Sequence, residues 1–341
     1  MKKNLIKTVL PLTALVFILL FLSIKGDEDS NAVKRTRMLM GTIVEITVFH
    51  EGNRDKSDEH INEAFKEIKR LEELLGRQYE GSDIWKINNR PGENVSVSEE
   101  TLDLVEAGLH FHAISQGSFD ITLGKLIDLW RFKDEEEGQS PPPDDDIKAA
   151  IKISGPQNLN IDRPGKTIST IADVHLDLGG IAKGFIIDRA GELLAQRNVK
   201  NFIIDAGGDM IVKGKKGDKA WRVGLRHPRK PGEVLASLDL NGDLTSIVTS
   251  GDYEQVFFHE GKRYHHILDP STGYPAKGLM SVTIKAGDAK SADALSTAVF
   301  VLGKEKGLRL IESLNGVEGV LVDEDSKVTI SSGLKGQVLL R

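Results

Sequence analysis

Residues 201–210 read NFIIDAGGDM, an apolar run that ends on Asp205-Ala-Gly-Gly-Asp209. The run is a buried strand, and the glycine pair closes it with a tight turn or opens it to a ligand. Working outward, further strand-like runs stand at Thr167–Ile171, Trp221–Leu225, Leu244–Thr249, Gln255–His259 and Met280–Ala286, many with glycines between them. On the N-terminal side, MGTIVEITVF at residues 40–49 alternates apolar and polar side chains behind a Gly-Thr turn and predicts a half-buried strand. Helical spacing of Ile61, Phe65, Ile68, Leu71, Leu74 and Leu75 predicts an amphipathic helix over Ser57–Leu75. Further helices are expected at Glu99–Gln116, Ile181–Arg197 and Ser291–Leu302. Strands joined by short glycine turns, with only occasional helices, point to an α+β fold with largely antiparallel sheets and flanking helices.

The 341 residues contain 45 Lys+Arg, 51 Asp+Glu and no cysteine. The missing thiol excludes zinc fingers, thiol nucleophiles, disulfide frameworks and lipoprotein acylation. Residues 1–26 hold Lys2, Lys3, Lys7 and Lys25 but no acid, and nothing is charged from Thr8 to Ile24. This pattern is a signal or a membrane anchor, with the basic start in the cytoplasm and the bulk of the chain outside, on the inner membrane or in the periplasm. No A-x-A site follows, which favours an uncleaved anchor. Residues 27–37 are expected as linker and 38–341 as one domain. Beyond residue 26 the charge is −10, 41 basic residues against 51 acidic ones. A nucleic-acid partner is therefore not expected. The acidic, proline-rich stretch 134–146 (DEEEGQSPPPDDD) is expected as a solvated loop.

Several polar, glycine-rich segments are candidates for chemistry. Asp177-Leu-Gly-Gly-Ile-Ala-Lys183-Gly184 opens a helix whose N-terminal N–H groups could meet an anion, and it also reads as a plain strand-to-helix turn. Thr249-Ser-Gly-Asp-Tyr253 reads first as a turn between strands. His265 and His266 precede an Asp-Pro turn; on a strand they face opposite sides, so only one of them can point into a site as a base, and either ring could instead simply bond to neighbouring backbone. Asp293 and Thr297, four apart on a helix, share one face and could hold a hard cation such as Mg²⁺, which takes oxygen ligands. Two side chains are too few for a full cage, so the remaining ligands would be water and substrate phosphate.

Taken together, Met40-Gly-Thr, Gly117-Ser-Phe-Asp120, Leu129-Trp-Arg-Phe132, Asp177–Gly184, Asp205–Asp209, Thr249–Tyr253, His266-Ile-Leu-Asp-Pro-Ser-Thr-Gly273 and Ala292–Ala298 resemble the ApbE family of FAD:protein FMN transferases, with the motifs in family order. The resemblance implies an ApbE-like, T-fold-like domain and an extracytoplasmic, Mg²⁺-dependent enzyme. Such an enzyme cleaves FAD, places FMN on a Thr or Ser hydroxyl of an acceptor protein through a phosphoester bond, and releases AMP. It also implies that Asp293, Thr297 and the Gly180 carbonyl, with Ser296, hold the metal. Met40, Tyr79, Ser118, Phe119, Asp120, Asp177, Lys183 and Leu268 would contact FAD, with His266 and Asp293 as the catalytic residues. Two positions depart from the family pattern: Ser271 stands where Arg is usual, and Arg131 where Gly is usual. Passing FMN to water (an FAD pyrophosphatase) and holding FAD without turnover are the rival readings.

Overall fold

The structure, a computed structural model, describes residues 31–50, 52–132, 139–171 and 173–341. The signal or anchor expected at 1–26 lies outside the described residues. An eight-stranded sheet forms the centre, made of Ala32–Leu39, Thr42–Phe49, Phe202–Ala206, Asp209–Lys213, Thr245–Gly251, Leu279–Ala286, Glu318–Asp323 and Val328–Ile330. Each strand pairs antiparallel with the one before it, so the sheet is a meander laid down in chain order. Apart from the short C-terminal stretch after Ile330, the other described elements are inserted between its strands. Smaller antiparallel sheets complete the α+β fold expected from the sequence.

Alternation decides the two faces. Val44, Ile46 and Val48 point into a core shared with the helices Arg54–Leu75, Ala182–Gln196 and Ala289–Ser313. Phe49, Ile203, Met210 and Ile247 point the other way, against Trp221, Val223 and Leu238 of the small sheet formed by Trp221–Arg226 and Val234–Leu240. The long helix Arg54–Leu75 buries Ile61, Phe65, Ile68, Leu71 and Leu75 as its spacing predicts, and starts where the Asn53 side chain accepts from the Lys56 N–H. The helix expected at Ser291–Leu302 begins at Ala289, and Gly303, with φ 75°, breaks it before a second stretch runs to Ser313.

Three expectations need correction. The stretch 27–37 is not all linker, because Ala32–Leu39 is an edge strand paired along its whole length with Thr42–Phe49. Only Val33 of that strand is buried, so no apolar alternation advertised it. The acidic stretch 134–146 is not all loop either, since Asp144, Asp145 and Asp146 form the first turn of the helix Asp144–Ile153, where carboxylates favour the positive helix end. Its residues 134–138 lie outside the described residues. Two short helices, Asp83–Asn89 and Gly124–Trp130, were not foreseen. The two-residue turn Met40-Gly41 has φ of 53° and 68°, the geometry that suits a tight hairpin.

The helices starting at Ala182 and Ala289 cross at their first turns. A Cβ on Gly184 would stand 2.2 Å from the Ala289 carbonyl oxygen. Gly184→Ala is therefore expected to force the two helices apart and destabilise the protein by roughly 1–3 kcal/mol, read as a lower urea midpoint; an unchanged midpoint would show that the crossing yields without cost.

Candidate functional site

At that crossing each helix caps the other. The helix Ala182–Gln196 has no side-chain cap of its own, and Asp293 of the neighbouring helix accepts from the Gly184 N–H at 3.0 Å. In return Asp188 accepts from the N–H groups of Ala289 and Lys290 at 2.7 and 2.8 Å. Asp288, the N-cap residue of the second helix, accepts from Ser291. Both Asp188 and Asp293 are buried. Burial pushes the Asp188 carboxyl up to about 7 against the opposing pull of its two N–H donors. Burial also raises Asp293; Asp209 adds to the rise, and Lys183 opposes it.

One turn along, the Lys183 ammonium pairs with Asp209, itself buried at the end of the Asp205-Ala-Gly-Gly turn. Two buried carboxylates, Asp209 and Asp293, thus face a single lysine, whose pKa the Asp209 and Asp293 charges raise against the lowering effect of its burial. Beside them lies a group of hydroxyls. Ser250 Oγ is 2.7 Å from Ser296 Oγ and 3.3 Å from Thr297 Oγ1, and Ser296 also donates to the Asp293 carbonyl. Gly180 packs on Thr297: a Cβ there would meet Thr297 Oγ1 at 3.3 Å and the Phe119 ring at 3.1 Å. Gly180, Ser296, Thr297, Asp293 and Lys183 therefore converge, together with Phe119.

The remaining residues expected to contact FAD reach this centre through neighbours. Residues 119–124 run beside 175–177, with the Asp177 N–H on the Ile121 carbonyl at 2.8 Å, which brings Phe119 and Asp120 to Asp177. Asp120 accepts from Thr122, and Ser118 follows the left-handed Gln116-Gly117. Asp177 accepts from the Gly179 N–H at 2.8 Å and forms an ion pair with Arg77, whose Nε stands 3.1 Å away. Tyr79 sits two residues from Arg77, its hydroxyl on Glu72, which raises its pKa. Met40 lies in the first hairpin turn, where Thr42 packs on Gly207.

His266 and Leu268 stand on a different element, the loop after the strand Lys262–His265. His265 is the core member of the histidine pair: its Nε2 meets the Ala276 carbonyl at 2.9 Å, and its Nδ1 accepts from Ile267. Burial lowers its pKa. The partly buried His266 donates its backbone N–H to Gln255. Trp130 Nε1 holds the loop through the Gly273 carbonyl at 2.8 Å, and its ring packs with Phe132, Phe257, Tyr264 and Tyr274. Both departures from the family pattern touch this region. Arg131 takes φ 52° at the end of the helix Gly124–Trp130, a left-handed position that glycine occupies without strain. Ser271 donates to Asp269 and turns the loop locally.

Three participants escaped the sequence reading. Arg77 binds both Asp177 and Asp128. Ser250, read as part of a turn, ends a strand with its hydroxyl in the cluster. Asp188 carried no motif, only its place on the inner side of a helix. The donor set fits a hard cation: surplus buried negative charge stands beside hydroxyl and carbonyl oxygens. Among the described residues no group of three or more His, Cys, Asp or Glu could hold a metal alone. Further ligands would thus be water and a phosphorylated substrate.

The ApbE family model matches residues 40–321. An FAD:protein FMN transferase of Klebsiella pneumoniae is 32% identical over 312 residues, 89% of this chain and 93% of that protein. One of Treponema pallidum is 31% identical over 337 residues, covering 92% and 90%. Among solved structures, the ApbE protein of Thermotoga maritima matches with a TM-score of 0.82 and 35% identity over 90% of this chain and 99% of that one. The flavin transferase ApbE of Vibrio cholerae matches with a TM-score of 0.79 and 28% identity, covering 90% and 99%.

Asp188 gives the crossing a pH signature. With its carboxyl raised to about 7 in the fold and near 3.9 when unfolded, the folded state keeps a proton between about pH 4 and 7 that the unfolded state has lost. This contribution is complete below about pH 4 and disappears as pH rises through about 7. Asp188→Asn should therefore flatten the dependence of the urea midpoint on pH across that window, and an unaltered slope would contradict the assignment.

Proposed function

The chain belongs to the ApbE family and is an FAD:protein FMN transferase, and from that membership we propose a Mg²⁺-dependent reaction that transfers FMN from FAD to a Thr or Ser hydroxyl of an exported or membrane acceptor protein. The acceptor oxygen forms the new phosphoester bond to the FMN phosphorus. The bond to the AMP phosphate breaks, and AMP leaves. The observation that supports the metal requirement is the pair of buried carboxylates, Asp209 and Asp293, set against the single Lys183 ammonium beside the oxygens of Ser250, Ser296 and Thr297.

Asp293, Thr297 and the Gly180 carbonyl, with Ser296 in support, would hold the cation. Bound there, it would neutralise pyrophosphate charge during attack. Lys183 keeps Asp209 paired and its own ammonium beside Asp293. Asp177, oriented by Gly179 and Arg77, and the segment Ser118-Phe119-Asp120 would bind FAD, with Met40, Tyr79 and Leu268 at its margins. His266 would take the proton from the acceptor hydroxyl, the role left to it by the structural commitment of His265. Positioning and electrostatics would supply most of the acceleration, as in phosphoryl transfer generally. We place the domain outside the cytoplasm, tethered by Thr8–Ile24.

Incubation with FAD, Mg²⁺ and a threonine-containing acceptor should add the mass of FMN less one water to the acceptor and release AMP. Chelation of the metal should abolish both. His266→Ala should slow transfer by roughly two to four orders of magnitude while leaving FAD binding nearly intact; transfer at the original rate would rule out His266 as the base. Free FMN and AMP with no labelled acceptor would identify the reaction as hydrolysis.

A further inference from the structure

The central sheet presents two ends. The motif-bearing turns, Met40-Gly41 and Gly207-Gly208, lie at one end. At the other end the chain enters at Asn31, whose carbonyl accepts from the His50 N–H, beside Asn201 and the turn after Lys213. The strand Thr42–Phe49 spans the distance between them, about 25 Å at the usual rise per residue.

Two segments at this far end are rich in lysine in a chain that is acidic overall. Residues 197–201 and 213–219 bring Arg197, Lys200, Lys213, Lys215, Lys216 and Lys219 against Asp218, with Asp243 in the adjoining turn and Asp55, Asp58 and Glu59 at the start of the neighbouring helix. Lys200, Lys215 and Lys219 are exposed. A cavity of about 260 Å³ opens here, lined by His50, Lys56, His60, Arg197 and Lys200 together with asparagines and Ser57, and no acid lines it. Of these, Arg197 is held by Glu63. A second hollow adjoins it, where Asn31 and Phe49 meet Lys216 and Lys219. Lysines thus flank the point where residues 1–30 join the fold, and those residues include the uncharged, apolar run Thr8–Ile24 followed by Asp27, Glu28 and Asp29.

We propose that this end of the domain rests on an anionic lipid surface, and so turns the FAD site away from the bilayer towards the acceptor. The inference builds on the reading of Thr8–Ile24 as an anchor. The occupant follows from charge complementarity and from where the preceding chain enters. A tether alone would leave the domain free to tumble, whereas lysines within a Debye length of anionic headgroups, about 8 Å at physiological salt, fix which end faces the membrane. Each contributes roughly a fivefold preference, so four together give a strong bias that salt weakens.

The absence of cysteine makes the test direct. The full chain carrying Asp218→Cys, or Lys277→Cys near the site end, is labelled with a fluorophore and reconstituted in lipid nanodiscs containing a headgroup quencher. Discs of phosphatidylcholine are compared with discs in which a third of it is phosphatidylglycerol. The label at 218 should be quenched strongly only in the anionic discs, and the label at 277 in neither. Changing Lys200, Lys215, Lys216 and Lys219 to Gln should abolish the quenching, as should high salt, without slowing FMN transfer to a soluble acceptor peptide. Equal quenching at 218 in both lipids, or quenching that survives the four substitutions, overturns the proposal. Failure of the anchor reading is seen separately, as protein that washes off the discs at high salt. In that case co-sedimentation with phosphatidylglycerol vesicles at low salt decides: binding lost in the Gln variant supports the basic surface, and no binding refutes it.

Discussion

The exchange of caps between Asp188 and Asp293 is the contact on which the site depends. Each carboxylate lies on one helix and satisfies N–H groups at the start of the other. Helix starts leave N–H groups without intrahelical partners, and burying them unpaired would cost about 1–3 kcal/mol each. The crossing can be this close because Gly184 has no side chain, and it can be buried because the caps are carboxylates. The same arrangement fixes the azimuth of the Ala289 helix. That places Ser296 and Thr297, one turn beyond Asp293, against Ser250 on the sheet. A stabilising contact and a candidate ligand set are in this way one structure.

The meander explains why the proposed site residues are so scattered in sequence. A sheet built in chain order needs only tight turns, so any long connection between consecutive strands is available for other work. The insertion between Phe49 and Phe202 supplies Tyr79, Ser118 to Asp120, Asp177 and Lys183. The one between Gly251 and Leu279 supplies His266 and Leu268. The last large one carries Asp293 and Thr297. The sheet itself supplies only Asp209 and Ser250, at one end of its central strands. The hydrogen bond from Trp130 to Gly273 joins the first insertion to the second, and that from Gly184 to Asp293 joins the first to the third.

Much of this was legible from the sequence because it is local. The 3.6-residue spacing in the helix Arg54–Leu75 and the alternation in Thr42–Phe49 are properties of neighbouring residues. So is the i, i+4 relation of Asp293 and Thr297. The misses have equally physical reasons. Asp83–Asn89 and Gly124–Trp130 are two turns long, too short for a period to show. Ala32–Leu39 is an edge strand with one buried residue, so its charges read as linker. Arg77, Ser250 and Asp188 act on partners 100, 46 and 101 residues away, counted to Asp177, Ser296 and Ala289. Single-chain pattern cannot carry such pairings, and the family resemblance supplied the order of the motifs without these supporting partners.

One reading of the sequence changes meaning in the fold. The glycine-rich opening of the helix at Ala182 looked like a cradle of N–H groups for an anion. In the structure the Gly179 N–H is taken by Asp177, Ala182 bonds to the Leu178 carbonyl, and Gly184 is taken by Asp293. The start of the second helix is taken by Asp188 and Asp288 in the same way. N–H groups at both helix starts are thus taken in part by carboxylates of the chain itself, and Lys183 is paired with Asp209. A pyrophosphate approaching Thr297 would meet oxygen and negative charge, which repel it unless a cation intervenes. The proposed divalent ion is thus supported by how the protein caps its helices, as well as by the oxygens that would hold it.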